Sequence, residues 1–440
     1  ATSINVGGSL PMKVTLAQAG QYRIDVYRLG YYAGTGGRLM GSFGPFAGVK
    51  QTACGVTDSA TLLIECKWNT SFTLAIGSTW TSGLYVANLT AAASGKQSQI
   101  WFVVRDDSSH ADLLFQSSFN TFLAYNNYGD GERHSVYEYN STNGQRAFKV
   151  SFDRPFGEIT DDPDNANSMV RYERNMARWL ESQSYDVTYI STVDTHANPA
   201  TLLQHKTYLS VGHDEYWSLE MRNAVEHARD VGVNLGFFSA NSAYWRVRFE
   251  PSSTGDANRV MVCYKDATAR DPVAPTYLWR GPENNRPENA LLGVMYVGDD
   301  VYSNGYDFVV ANSADPYYRN TGLTNGTAVS TLVGYEWDAV VNNGFSPPGL
   351  VVLSNSPTVA STIGPGVPPG TNASISNAVR YTAASGAKVF STGSIQFVWG
   401  LDADGVYQAQ VDSRIRQFII NVLADLGARP LTPDDGMIVP

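Results

Sequence analysis

The sequence predicts two structural classes in one chain. Residues 1–107 read as an antiparallel β-sandwich of immunoglobulin-like size. Residues 108–440 read as a doubly wound α/β domain with a strand-rich insertion at about 245–345. Three observations predict this. Up to residue 105, short apolar or alternating runs recur about every 8 to 12 residues, with Gly, Ser and Asp between them. From residue 110, strand-like runs alternate with stretches of helical periodicity, the signature of a parallel sheet. Between the two lies the polar run Asp106, Asp107, Ser108 and Ser109, a natural boundary.

In the first part the expected strands are 12–17 (MKVTLA), 22–30 (YRIDVYRLG), 61–68 (TLLIECKW), 71–76 (SFTLAI), 83–90 (GLYVANLT) and 99–107 (QIWFVVRDD). Each is rich in β-branched and aromatic residues. Cys54 and Cys66 flank a hairpin-like segment and are expected to pair, leaving Cys263 free. In the second part, 111–116 (ADLLFQ) is a strand leading into a polar loop that runs to about 146, and 147–152 (AFKVSF) is another short strand. Residues 166–183 have helical spacing, with Met169, Tyr172, Met176 and Trp179/Leu180 on one face. A strand at 185–192 (YDVTYIST), a short helix near 200–204 and a strand at 206–212 (KTYLSVG) follow. Residues 218–232 form a helix with Ser218 as N-cap and Glu220 in its first turn, and 234–240 (NLGFFSA) the next strand. Residues 379–394 are expected to restore a helix and a strand, and 413–427 to form an amphipathic last helix.

Composition narrows the function. Hydrophobic residues are 43%, aromatic 12% and charged 16% of 440, enough to bury a large core and to exclude disorder. A net charge of −10 without any basic cluster excludes a nucleic-acid groove or an anionic-lipid surface. No apolar run approaches the ~20 residues of a membrane span. The start at Ala1 without methionine, together with the low charge, leads us to expect an exported, secreted chain whose signal has been removed. Partners are then a small-molecule or glycan substrate, with homo-oligomerisation left open.

Three clusters carry chemistry. The first, SVGHDEYWS at 210–218, puts His213, Asp214, Glu215, Tyr216 and Trp217 at a strand end, where ligands gather in parallel sheets. A carboxylate capping the next helix is the bland explanation; it accounts for one acid and not for five such residues together. The second is FFSANSAYWRV at 237–247, with Asn241, Tyr244 and Trp245; alone it is ordinary turn chemistry. The third, at 119–140, holds Tyr125, Tyr128, His134, Tyr137 and Tyr139. Such tyrosines often serve as surface or sugar contacts. A tyrosine phenolate is also a hard oxygen donor and with a carboxylate suits ferric iron. No HExxH, paired Cys-x-x-Cys, GxGxxG after a strand, GxxxxGK[ST] or GxSxG is present, which removes the common zinc, nucleotide and serine-hydrolase readings.

The stretches FNTFLAYNNYG, SVYEY, FKVSFDRPF, YERNMARWLESQSYDVTY, KTYLSVGHDEYWS and NLGFFSANSAYWRVR resemble the large subunit of bacterial N,N-dimethylformamidase. Upstream, VYRLGYYAGTGGR and WTSGLYVANL…FVVRDD extend the resemblance. It implies an amidohydrolase whose α/β domain is related to class I amidotransferase-like sheets, with one iron, as Fe3+, held by two tyrosines and a glutamate. Matched by motif, Glu215 is the carboxylate ligand and Tyr125 and Tyr137 the tyrosines, with Tyr128 and Tyr139 as rivals. His213, Asn241, Lys265 in VMVCYKD and Glu336 in GYEWDAV match the polar site residues. The family's tyrosine loop is longer, and its small helical subunit has no counterpart in this chain. The expected function is hydrolysis of an amide or related C–N bond. Two rivals are a carbohydrate-active surface protein, in which Glu215 and Asp214 do acid/base work, and a non-catalytic secreted module with a vestigial site.

Overall fold

The structure, a computed structural model, describes residues 1–156, 169–266, 270–403 and 410–440. The fold is mixed α/β with more strands than helices among these residues. No described helix is long and apolar enough to cross a membrane.

In the N-terminal part, five strands form one sheet in the spatial order Ser3–Asn5, Gln97–Arg105, Gly83–Ala91, Gly20–Leu29, Gly37–Gly48. The first joins in parallel and the others are antiparallel. A two-stranded ribbon, Ser9–Met12 with Phe72–Ala75, shares its core: Leu10, Met12 and Leu74 pack with Ile24, Tyr85, Ala87, Phe102 and Val104. The alternate residues Leu84, Val86, Trp101 and Val103 face the other way and join the large core of the rest of the chain. Both faces of the sheet are therefore buried along Gly83–Ala91 and Gln97–Arg105, which read as near-continuous apolar runs over residues 83–87 and 100–104. The strand Gly37–Gly48 was not expected. Gly41, Gly44 and Pro45 break its pattern, which an edge strand tolerates because one side of its backbone needs no partner.

The second part is built on a seven-stranded sheet of β1 (Leu113–Ser117), β2 (Val187–Ser191), β3 (Thr207–Gly212), β4 (Asn234–Ser239), β5 (Val351–Val352), β6 (Val379–Thr382) and β7 (Lys388–Ser391). The order is β2-β1-β3-β4-β7-β6-β5, parallel from β2 to β7 and antiparallel for the last two. Side chains alternate between two helical layers. Leu114, Tyr208, Leu235 and Phe237 pack with Met221, Ala224 and Val225 of helix α4 (Leu219–Asp230). Phe115, Leu209, Val211 and Phe238 pack in the large core with Met176 and Leu180 of α2 (Glu173–Ser182) and Phe418 and Ile419 of α5 (Ser413–Asp425). The α4 cap is as expected: Ser218 Oγ accepts from Met221 N at 3.1 Å.

Four local expectations are corrected. The loop expected after β1 begins as helix α1 (Phe119–Tyr125), whose Phe119, Phe122 and Leu123 are buried at i, i+3 and i+4. The strand at 185–192 gives way to helix α3 (Thr192–Ala197), opened by Ser191 and Asp194 with Ser191 N donating to Asp194 Oδ2 at 2.8 Å. The expected helix in 379–394 is the hairpin of β6 and β7, turned at Gly386 (φ 88°). Lys149–Ser151 leaves the main sheet and joins Val260–Val262, Trp245–Glu250 and Tyr216–Ser218 in a separate four-stranded sheet. The start of the helix expected at 166–183 lies outside the described residues.

Candidate active site

β3 ends at Gly212, whose φ of +73° turns the chain sharply. A Cβ there would come within 2.7 Å of Tyr172. Beyond this turn Glu215 is clamped through its backbone. Its N–H donates to Thr121 Oγ1 of α1 at 3.0 Å, and its carbonyl accepts from Tyr244 N and Trp245 N at 2.9 and 3.0 Å. The parallel pairing of Tyr216–Ser218 with Trp245–Val247 sets that register. The Trp245 indole N–H donates to Glu215 Oε1 at 2.7 Å. Only Oε2 is left facing inward.

That oxygen is where the tyrosines meet. Tyr137 donates to Glu215 Oε2 at 2.9 Å and Tyr125 at 3.3 Å, and their rings stack with centroids 4.1 Å apart. Tyr125 ends α1. Tyr137 sits on the following loop, which Arg154 pins by donating to the carbonyls of Tyr128, His134 and Asn126. Burial, then the Glu215 carboxylate, push both hydroxyls well above the usual tyrosine range. The rival tyrosines are elsewhere: Tyr139 is 75% exposed, and Tyr128 packs on the Cys54–Cys66 cluster.

A second group closes on the first. His213 Nε2 lies 3.4 Å from Glu215 Oε2 and 2.9 Å from Glu336 Oε2. Burial lowers the imidazole pKa, but the Glu336 carboxylate and then Glu215 outweigh it and hold it above the ordinary value. Asn241 Nδ2 donates to Glu336 Oε2 at 3.2 Å, and Asn241, at φ 53°, is fixed by its own N–H on Asp338 Oδ1 at 2.8 Å. Lys265 Nζ stands 3.4 Å from the Tyr137 ring centroid and 4.5 Å from that of Trp245, and burial lowers its pKa to about 8. All seven sequence-expected site residues are thus brought into one cluster, five of them buried and Tyr125 and Tyr137 partly so.

A sequence model of the N,N-dimethylformamidase beta subunit-like family, C-terminal part, matches residues 23–412. The chain belongs to this family. No curated protein matches this family member in sequence. Among solved structures, a family 123 glycoside hydrolase from Clostridium perfringens is 7% identical over 60% of this chain, with a TM-score of 0.12. The match spans about half (49%) of that chain's length, and at such a score it carries no argument about fold or chemistry.

Two members of the site were missed from sequence. Tyr216 was seen only as part of a dense cluster, yet its hydroxyl reaches Tyr137 at 2.5 Å and accepts from Lys265 at 2.8 Å. Trp245 was seen only in a stretch that reads as ordinary turn chemistry, yet it supplies a hydrogen bond to the carboxylate. The signal for Tyr216 was strand alternation: it turns inward while Trp217 packs on the far side with Met221 and Phe237. Asp214 likewise turns away, its Oδ2 accepting from Gln116 and Ser210 at 2.7 and 2.8 Å.

Among the described residues no three His, Cys, Asp or Glu side chains gather as a metal site. Tyr125 and Tyr137 would supply the further oxygens for a cation at Glu215. The donor set fits one: two phenol oxygens lie within hydrogen-bonding distance of a buried carboxylate oxygen, and all three are hard donors suited to iron.

Proposed function

We propose that the chain is an amidohydrolase, cleaving an amide or related C–N bond at one iron held by Tyr125, Tyr137 and Glu215. The observation that carries this is the meeting of two phenol oxygens on a single carboxylate oxygen, Glu215 Oε2. Family membership supports the reaction class. Tyr125, Tyr137 and Glu215 would hold the iron, which when bound would supply Lewis acidity towards a substrate carbonyl and a water. The Trp245 indole keeps Oε1 occupied, so Glu215 offers one oxygen rather than two. Glu336 Oε2 takes the proton of the attacking water, and His213 Nε2, 2.9 Å away, passes a proton on to the leaving amine nitrogen. Asn241 orients Glu336 for that exchange. With Glu215, His213 and Glu336 all buried, bulk water is held off the proton path.

In this reading residues 1–107 form a β-sandwich module and residues 108–440 the catalytic unit. The protein is secreted, a placement the Cys54–Cys66 disulfide favours. The carbohydrate reading is less supported, because Asp214 and Glu215 point to different surroundings and share no common face.

The test is iron per chain and thermal stability on the same sample. Glu215→Gln removes the anionic donor and keeps the shape, so iron and amide hydrolysis should both collapse. If Glu215 were only a helix-capping acid, the loss would be about 1 kcal/mol with iron unchanged. Tyr125→Phe and Tyr137→Phe should also lose iron, and Tyr128→Phe and Tyr139→Phe should keep it. Full iron in Glu215→Gln sinks the proposal.

A further inference from the structure

We propose that Tyr216 is a positioning residue for Tyr137, donating the hydrogen bond that holds the Tyr137 oxygen in place. The inference rests on the iron reading above. An ammonium group has hydrogens to give and no lone pair to receive one. Lys265 Nζ therefore donates to the Tyr216 oxygen, at 2.8 Å. The Tyr216 hydroxyl is left with its own hydrogen to give, and the Tyr137 oxygen is 2.5 Å away. Tyr137 in turn donates to Glu215 Oε2 at 2.9 Å. The chain of donors runs one way, from Lys265 through Tyr216 and Tyr137 to Glu215.

When a cation takes the place of the last proton in that chain, the Tyr137 oxygen becomes an anion that still accepts from Tyr216. A hydrogen bond to an ionised acceptor is shorter and about twice as strong as a neutral one. Tyr216 is well placed to hold its end fixed. It is fully buried, its backbone pairs with Trp245, and its carbonyl accepts from Asn120 Nδ2 at 3.0 Å. Tyr125 is held differently, by stacking on Tyr137 and by Glu215 at 3.3 Å. The two phenolates are therefore inequivalent, and Tyr216 is what distinguishes them. The competing role for Tyr216 is packing alone, which phenylalanine would fill equally well.

The test compares the full-length wild type and Tyr216→Phe, both loaded with ferric iron. The readouts are the tyrosinate-to-iron charge-transfer absorption and the rate at which a chelator strips the metal. Removing the donor raises the energy of the phenolate electrons, so the band should move to longer wavelength. The affinity for iron should fall by about 10- to 100-fold, the scale of one hydrogen bond to a charged group. Lys265→Met, which removes the donor to Tyr216 and leaves its hydroxyl, should shift the band the same way by less. This second variant also decides the matter if Tyr216→Phe folds poorly. An unmoved band and an unchanged stripping rate in folded Tyr216→Phe overturn the inference and leave the iron site standing. A wild type that binds no iron and shows no such band overturns both.

Discussion

Glu215 shows how one side chain can be constrained from every direction. Its two carboxylate oxygens have different duties because Trp245 donates to one and the tyrosines to the other. Trp245→Phe keeps the ring in the wall and deletes the donor, leaving a buried charged oxygen without its partner. We expect a loss of about 1–3 kcal/mol in the stability of the iron-free protein, read by urea denaturation. A change below a few tenths would mean that Glu215 Oε1 finds water instead. A second residue-scale prediction concerns Glu173, at the start of α2. Its oxygens accept from Ser117 Oγ at 2.6 Å and Ser118 N at 2.7 Å, yet burial raises its pKa from 4.5 to about 8. Between about pH 5 and pH 8 the folded protein therefore keeps a proton that the unfolded chain releases. The sign is then fixed: stability is fullest below the unfolded pKa and falls as pH rises towards the folded one, by about 1 kcal/mol per unit from this group. Glu173→Gln should flatten that slope in melts taken from pH 5 to 8. An unaltered slope would show that Glu173 is ionised in the fold.

At the scale of elements, the hairpin from Val56–Asp58 to Leu63–Ile64 is tied to the site through its disulfide. Cys54 bonds to Cys66, and Cys54 N and O are hydrogen-bonded to Asp130 Oδ2 and N, both at 2.8 Å. Asp130 lies on the loop that ends in Tyr137. The disulfide closes a short loop and contributes about 3 kcal/mol in the chain-entropy view. Reduction should lower the melting temperature and also speed the loss of iron, because the Tyr137 loop loses one of its anchors, Arg154 and the backbone bonds of Val136 and Ala147 being others. Iron release unchanged on reduction would show that the loop's remaining hydrogen bonds suffice. Thiol titration of the denatured, unreduced chain should find Cys263 alone. The pairing was legible because two cysteines 12 positions apart flanked a hairpin pattern. Helix α1 was not, because its apolar stripe of Phe119, Phe122 and Leu123 is only one turn long and runs straight into asparagines and glycine. The strands of the parallel sheet were read from local apolar runs. The four-stranded sheet holding Tyr216 and Trp245 was not, since it pairs segments that are far apart in sequence and brief.

At the scale of the whole molecule, motif likeness picked out residues that the fold brings together, and the geometry that unites them comes from three separate stretches, at 125–137, 213–265 and 336. No spacing rule reveals that Glu336 meets His213, because the strand-rich segment between β4 and β5 makes its return by tertiary pairing. The polar run at 106–109 was legible as a break. What lies across it was not. The N-terminal sheet sends Leu84, Val86, Trp101 and Val103 into the same core as α2 and α5. Arg28 pairs with Glu181 at 2.6 Å, and Arg105 and Ser3 both bond Asp194 Oδ1, at 2.5 and 2.6 Å. We expect calorimetry to give one cooperative transition, since neither part can lose its structure without exposing the other's apolar face. Two well-separated transitions would mean that the shared core contributes little.

That shared face bears on how such a chain could be rebuilt by recombination. Crossing over at residue 107 looks harmless in sequence, yet it would exchange half of a hydrophobic interior and leave the other half behind. Ser82 Oγ accepts from Tyr189 N and bonds Thr188 Oγ1, so a transplanted first part would meet β2 of the new host as a mismatched surface. Inheritance of this fold should therefore keep the first hundred residues and the outer edge of the parallel sheet together, as one unit of exchange.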